Sequence, residues 1–98
     1  MSKILLKLYV SGDTLRSRKA IANLRSFCDR ELAGEISIEI IDVVNCPEIA
    51  EAEKILITPT LIRELPSPQE RIIGDLSNTE VLAFVLNLAP KLNQNNWG

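Results

Sequence analysis

Two cysteines, Cys28 and Cys46, are the softest nucleophiles in this sequence, and no histidine accompanies them. A thiol does redox work when a second thiol is within reach, most often as Cys-x-x-Cys. Neither cysteine has such a partner nearby in the sequence. Cys28 shares a helical stripe with Ala20, Ile21, Leu24, Phe27 and Leu32, which makes it a small core residue. Cys46 opens a helix, a position at which reactive thiols are found, but it stands alone. Two soft ligands without histidine are too few for a zinc, iron or copper site, so no metal is expected. The second candidate is Ser11-Gly12-Asp13-Thr14, where a strand runs into a helix. Enzymes place a nucleophile, a redox thiol or a phosphate-binding glycine loop at such junctions. This one offers a single glycine and no thiol, so no catalytic residue and no cofactor is expected.

The bulk properties narrow the function further. Ninety-eight residues at 46% hydrophobic content make one domain, expected over 1–92, with 93–98 as a loose polar tail carrying Trp97. The formal charge is −2 and the pI about 5.1, against the concentrated cationic field that nucleic acid or an anionic membrane would require. Arg16, Arg18, Lys19, Arg25 and Arg30 share the first helix, but Asp29 and Glu31 interrupt them, so the reading is a solvated face. Apolar runs fall short of the ~20 residues that span a bilayer. Residues 3–10 keep two lysines and lack a cleavage signature, so they are not a signal peptide. A cytoplasmic location with both thiols free is the resulting expectation.

The elements that must position these residues follow from periodicity. "KILLKLYV" is apolar nearly throughout, as befits a strand covered on both faces. Asp13 or Thr14 can cap the helix that follows, and Gly34 is placed to terminate it. "EISIEIIDV" alternates, with Ile36, Ile38 and Ile40 on one side and Ser37 and Glu39 on the other, which suits an edge strand. "NCPEIAEAEKIL" offers Asn45 as a cap and Pro47 in the first turn, with Ile49, Ala52, Ile55 and Leu56 as the buried side of a short helix. "TPTLIREL" and "ERIIGDL" read as a hairpin around "PSPQ". "SNTEVLAFVLNLA" opens on Ser77 and Glu80, a capping box that favours helix, and Pro90 ends it. The predicted order is βαβαββα, an α/β, thioredoxin-like mixed sheet of four strands with three helices. In redox proteins of this topology the turn after the first strand holds Cys-x-x-Cys, which Ser11–Thr14 replaces. Thr58-Pro59 falls where such folds keep a cis proline, and it reads as structural.

The stretches "LKLYVSG", "IDVVNCPEIAEAEKILITPTLI" and "RIIGDLS" resemble the KaiB family of cyanobacterial circadian clock proteins, over about residues 4 to 89. The resemblance implies a non-enzymatic regulator that docks on a KaiC-like ATPase ring. It also implies KaiA-like and SasA-like proteins as further partners, captured or displaced. The family's ring-facing surface carries over to Glu51, Lys54, Pro66, Pro68 and Arg71. The free edge of the second strand, with Ser37 and Glu39, is available for pairing with a partner strand. Family members also adopt an alternative tetrameric ground-state fold, βαββααβ, in which the C-terminal half is rebuilt. Positions expected to decide between the folds are Pro59, Gly74, Asp75, Val85 and Asn87.

The chain departs from the family pattern in "PSPQER", where Ser67 and Glu70 replace a proline and a basic residue. Glu39 stands where lysine is common, and Val85 and Asn87 stand where glycine and aspartate are common in the last helix. These changes imply a diverged paralogue. Glycine costs about 1 kcal/mol against alanine inside a helix, so losing it favours helix there. The expectation is a monomer resting mainly in the thioredoxin-like state, with the tetramer belonging to the alternative fold. Two further readings stand beside this one: the sensor domain of a SasA-like histidine kinase, and a small thiol- or glutathione-dependent enzyme.

Overall fold

Apolar side chains at nearly every position of residues 4–10 demand cover on both faces and on both edges. In the computed structural model, which describes residues 3–31 and 36–86, β1 (Ile4–Val10) lies inside the sheet. Its neighbours are β2 (Ile36–Asp42) and β3 (Thr60–Leu65), and β4 (Glu70–Ile73) completes the order β2-β1-β3-β4. β1 and β2 run parallel because α1 (Leu15–Glu31) carries the chain back between them. β3 pairs antiparallel with β1 and with β4. The remaining helices are α2 (Pro47–Ala52) and α3 (Thr79–Val85). This is the βαβαββα thioredoxin-like order. With strand over 60–65 and helix over 79–85, the alternative order is not the one adopted.

Alternation divides the sheet into two unequal faces. Leu6, Leu8 and Val10 of β1 and Leu61 of β3 pack with Ala20, Leu24, Phe27 and Cys28 of α1 and with Leu76, Leu82 and Leu86 around α3. Ile36, Ile38, Ile40 and Ile72 extend the same layer. On the opposite face the register sets Glu39, Lys7, Ile62 and Arg71 in one row across all four strands. Tyr9 and Ile62 are buried there.

The cover on that second face differs from the expectation. α2 was to bury Ile49, Ala52, Ile55 and Leu56, but it ends at Ala52 and contains no buried residue. Lys54 takes a left-handed φ of 57°, which breaks the helical path before Ile55 and turns Leu56 outward, 91% exposed. Asn45 is not its cap. The cap position is Cys46, with no side-chain hydrogen bond, while the Asn45 amide donates to the Asp42 carbonyl in the preceding turn.

The capping box at α3 is also corrected. Asn78, not Ser77, is the cap, its Oδ1 accepting from the amides of Glu80 and Val81. Asp75 captures the Ser77 amide at 3.1 Å, so the helix begins one residue later. Thr14 caps α1 as expected, accepting from the Ser17 amide at 3.1 Å. Leu32, Gly34, Asn87, Pro90, Trp97 and the 93–98 tail lie outside the described residues.

Candidate functional site

The turn Ser11–Thr14, the place for redox chemistry in this topology, is filled with structural hydrogen bonds. Ser17 is buried beneath it, and its Oγ accepts from the Ser11 amide at 3.3 Å and the Thr14 hydroxyl at 2.9 Å. Gly12, at φ 63°, donates its amide to Asp42 Oδ1 at 3.0 Å. The same oxygen accepts from the Val44 amide at 2.9 Å. One carboxylate therefore ties the β1–α1 turn to the β2–α2 turn. Nearby, the Thr58–Pro59 bond is cis, Pro59 is buried, and its carbonyl accepts from the Gly74 amide at 2.9 Å. The side chains of Thr14, Ser17 and Asp42 are engaged in holding this backbone.

The thiols follow the sequence reading. Cys28 is buried in the α1 layer. Burial, with a smaller push from Asp29, raises its thiol above the ordinary cysteine value. Cys46 is half-buried and free. We expect a maleimide reagent to label Cys46 in the native protein and Cys28 only after denaturation, read by mass spectrometry. Comparable native rates at both would contradict the burial of Cys28.

Tyr9 is no better placed for proton transfer. Burial lifts its phenol above the ordinary value, Glu53 and Glu64 push the same way, and Arg71 opposes them. Among the described residues, no group of three or more histidine, cysteine, aspartate or glutamate side chains could hold a metal ion. No helix among them is long and apolar enough to cross a membrane.

The residues expected to bind partners separate into two places. At one edge, the Arg71 guanidinium reaches from β4 across the sheet face and donates to the carbonyls of Lys54 and Glu53. This clamps the end of α2 onto the β4 strand and brings Lys54 and Arg71 together, with exposed Glu51 on the preceding helix. Pro66 and Pro68 lie in the β3–β4 turn at the end of the same hairpin. Leu56, Ile57 and Ile73 are exposed apolar side chains around this clamp. Ser37 and Glu39 are on β2, the opposite edge of the sheet, where Glu39 is exposed and faces Lys7 in register.

Of the residues expected to decide the fold, Val85 is buried in the last turn of α3. Gly74 has a φ of 126°, which side-chain-bearing residues rarely adopt. Asp75 organises the loop after it, and its carbonyl accepts from Asn23 Nδ2 of α1 at 2.8 Å. Hydrogen bonding from Ser77, side chain first and amide second, holds the Asp75 carboxyl below its ordinary value, helped by Lys19 and Arg16. A depressed folded value means that its contribution is complete above the ordinary aspartate value and lost as pH falls through the lower, folded one. We expect the Ser77 amide resonance to titrate with a midpoint below the ordinary carboxylate range and to stop titrating in Asp75→Asn. A midpoint at the ordinary value would remove this bond.

Two residues that organise the site were not singled out from the sequence. Asp42 closes an alternating strand, and aspartate at a strand end is a turn-forming signal. Arg63 follows the apolar stretch Leu61-Ile62 in "TLIREL", beside Glu64, and is buried.

Comparison with known proteins agrees with the motifs. Residues 7–88 match the model of the KaiB domain. Circadian clock protein KaiB3 of Synechocystis sp. is 48% identical over 91 residues, covering 93% of this chain and 89% of the relative. Circadian clock oscillator protein KaiB of Thermostichus vulcanus is 47% identical over 83 residues, or 85% and 77% of the two chains. Among solved structures, the N-terminal domain of Synechococcus elongatus SasA superposes with a TM-score of 0.67 at 22% identity, covering 96% of this chain and 83% of that one. Chloroplastic thioredoxin z gives 0.72 at 18% identity, covering 90% and 80%. These structural likenesses speak for the fold alone.

Proposed function

The chain belongs to the KaiB family, and from that premise we propose that it is a non-enzymatic, cytoplasmic clock regulator that docks on a KaiC-like ATPase ring. The observation that carries the docking surface is the clamp of Arg71 on the carbonyls of Lys54 and Glu53. It gathers two cations, acidic Glu51 and the exposed apolar Leu56, Ile57 and Ile73 at one edge, beside the turn bearing Pro66 and Pro68. An apolar centre rimmed by charge is what a protein interface needs. The β2 edge, with Ser37 and Glu39, is a second surface, whose unpaired backbone groups suit a strand of a KaiA-like or SasA-like partner. Size-exclusion of this protein with a KaiC-type ring and nucleotide tests the reading. Co-elution supports it, and separate elution under every nucleotide condition overturns it.

The resting state is the thioredoxin-like monomer, with Pro59, Gly74, Asp75, Val85 and Asn87 among the positions that bias it. Backbone chemical shifts of the isolated protein are expected to be helical over 79–85 and extended over 60–65. Strand values across the first segment would reverse this assignment. The thiol-enzyme reading predicts turnover in a disulfide-reduction assay, and the structural occupation of the Ser11–Thr14 turn argues for none.

A further inference from the structure

Arg63 is the one fully buried charged side chain among the described residues, 3% exposed. It stands opposite Glu70 in the β3–β4 register. Even so, no carboxylate among the described residues comes within ion-pair distance of it. Its Nη1 donates to the Val85 carbonyl and its Nη2 to the Pro68 carbonyl, while Nε is buried with no partner among the described residues. Val85 is the last residue of α3, and its carbonyl is one that a helix end leaves without an intrahelical partner. A cation there also complements the negative end of the helix. Pro68 belongs to the β3–β4 turn, so the two acceptors lie on different elements and this one side chain bonds to both.

A guanidinium is planar and holds its terminal nitrogens at fixed spacing. Here its charge is offset by two carbonyl dipoles in place of a counter-ion. Withdrawing either carbonyl would leave a buried cation still less satisfied, which makes the two attachments interdependent. α3 has seven residues, too few to persist without tertiary support. We propose that Arg63 is a pin coupling the β3–β4 turn to the C-terminal end of α3, so that displacement of the turn loosens the helix. The coupling goes beyond the docking surface proposed above and needs no partner to be measured.

Amide hydrogen exchange on the full chain tests it. Pro68→Gly loosens the turn without touching α3, and it is expected to speed exchange at Leu86 and its neighbours in α3 severalfold. Arg63→Met is expected to speed exchange at both Leu86 and Gln69 by about tenfold or more, while Leu6 and Leu8 in the central strand hold their protection. In the Arg63→Met background, adding Pro68→Gly should change α3 no further, the non-additivity that marks a shared contact. Unchanged α3 exchange in Pro68→Gly overturns the proposal. So does an equal acceleration of every amide in Arg63→Met, which marks an ordinary lost core contact. If Arg63→Met fails to fold, the Pro68→Gly measurement decides alone.

Discussion

Reversing Lys54 and Arg71 together to glutamate is expected to weaken association with a KaiC-type ring by about ten- to a hundredfold, mostly through a slower on-rate. Both side chains are exposed at the α2–β4 edge, and the double change swings the local charge by four units. Screening should narrow the gap between wild type and variant as salt rises toward 1 M. Biosensor kinetics at two ionic strengths would read both effects. The same change also releases the hydrogen bonds from Arg71 to the Glu53 and Lys54 carbonyls. These are exposed, so folding stability should fall by no more than about 1 kcal/mol. Glu39→Lys, across the sheet on β2, should leave ring association within about twofold. Equal affinity of the double variant and the wild type would remove this edge from the interface.

The second large effect concerns stability. Leu24→Ala is expected to cost about 2–5 kcal/mol, because Leu24 is fully buried between α1 and the central strand. In a domain of this size that lowers the thermal midpoint by more than about 10 °C. Ile49→Ala in α2 should stay within about 0.5 kcal/mol, since Ile49 is 39% exposed and its helix buries nothing. Thermal unfolding followed by circular dichroism compares the two directly. Similar losses at both positions would mean that α2 packs as a core helix after all.

That contrast between α1 and α2 also marks where the sequence is legible. The stripe Ala20, Leu24, Phe27, Cys28 has enough length for periodicity to speak, and all four residues are in the core. The alternation of β2 foretold an edge strand, and the sheet order puts it there. In α2, the apolar spacing of Ile49, Ala52, Ile55 and Leu56 has the same character, yet one left-handed residue, Lys54, ends the helix. Lysine carries no signal for that conformation, which the Arg71 clamp on its carbonyl helps to hold. The α3 cap moved by one residue for a similar reason: Asp75 competes for the Ser77 amide, and local hydrogen-bond competition is invisible to a pattern of residue types. The residues proposed for docking come from the sequence as two groups, one on the second strand and one around the second helix and proline turn, but the distance between the groups was not legible. Only the strand order separates Ser37 and Glu39 from Lys54 and Arg71.

Asp42 Oδ1, shared between the amides of Gly12 and Val44, has a consequence for recognition. The loop at the end of β1 and the lead-in to α2 cannot fluctuate independently, because each restrains the oxygen on which the other depends. A surface mounted on α2 is therefore largely preorganised before any partner arrives, and less ordering entropy is lost on association. A carboxylate at a strand end thus helps to decide how tightly the helix that follows it can be gripped.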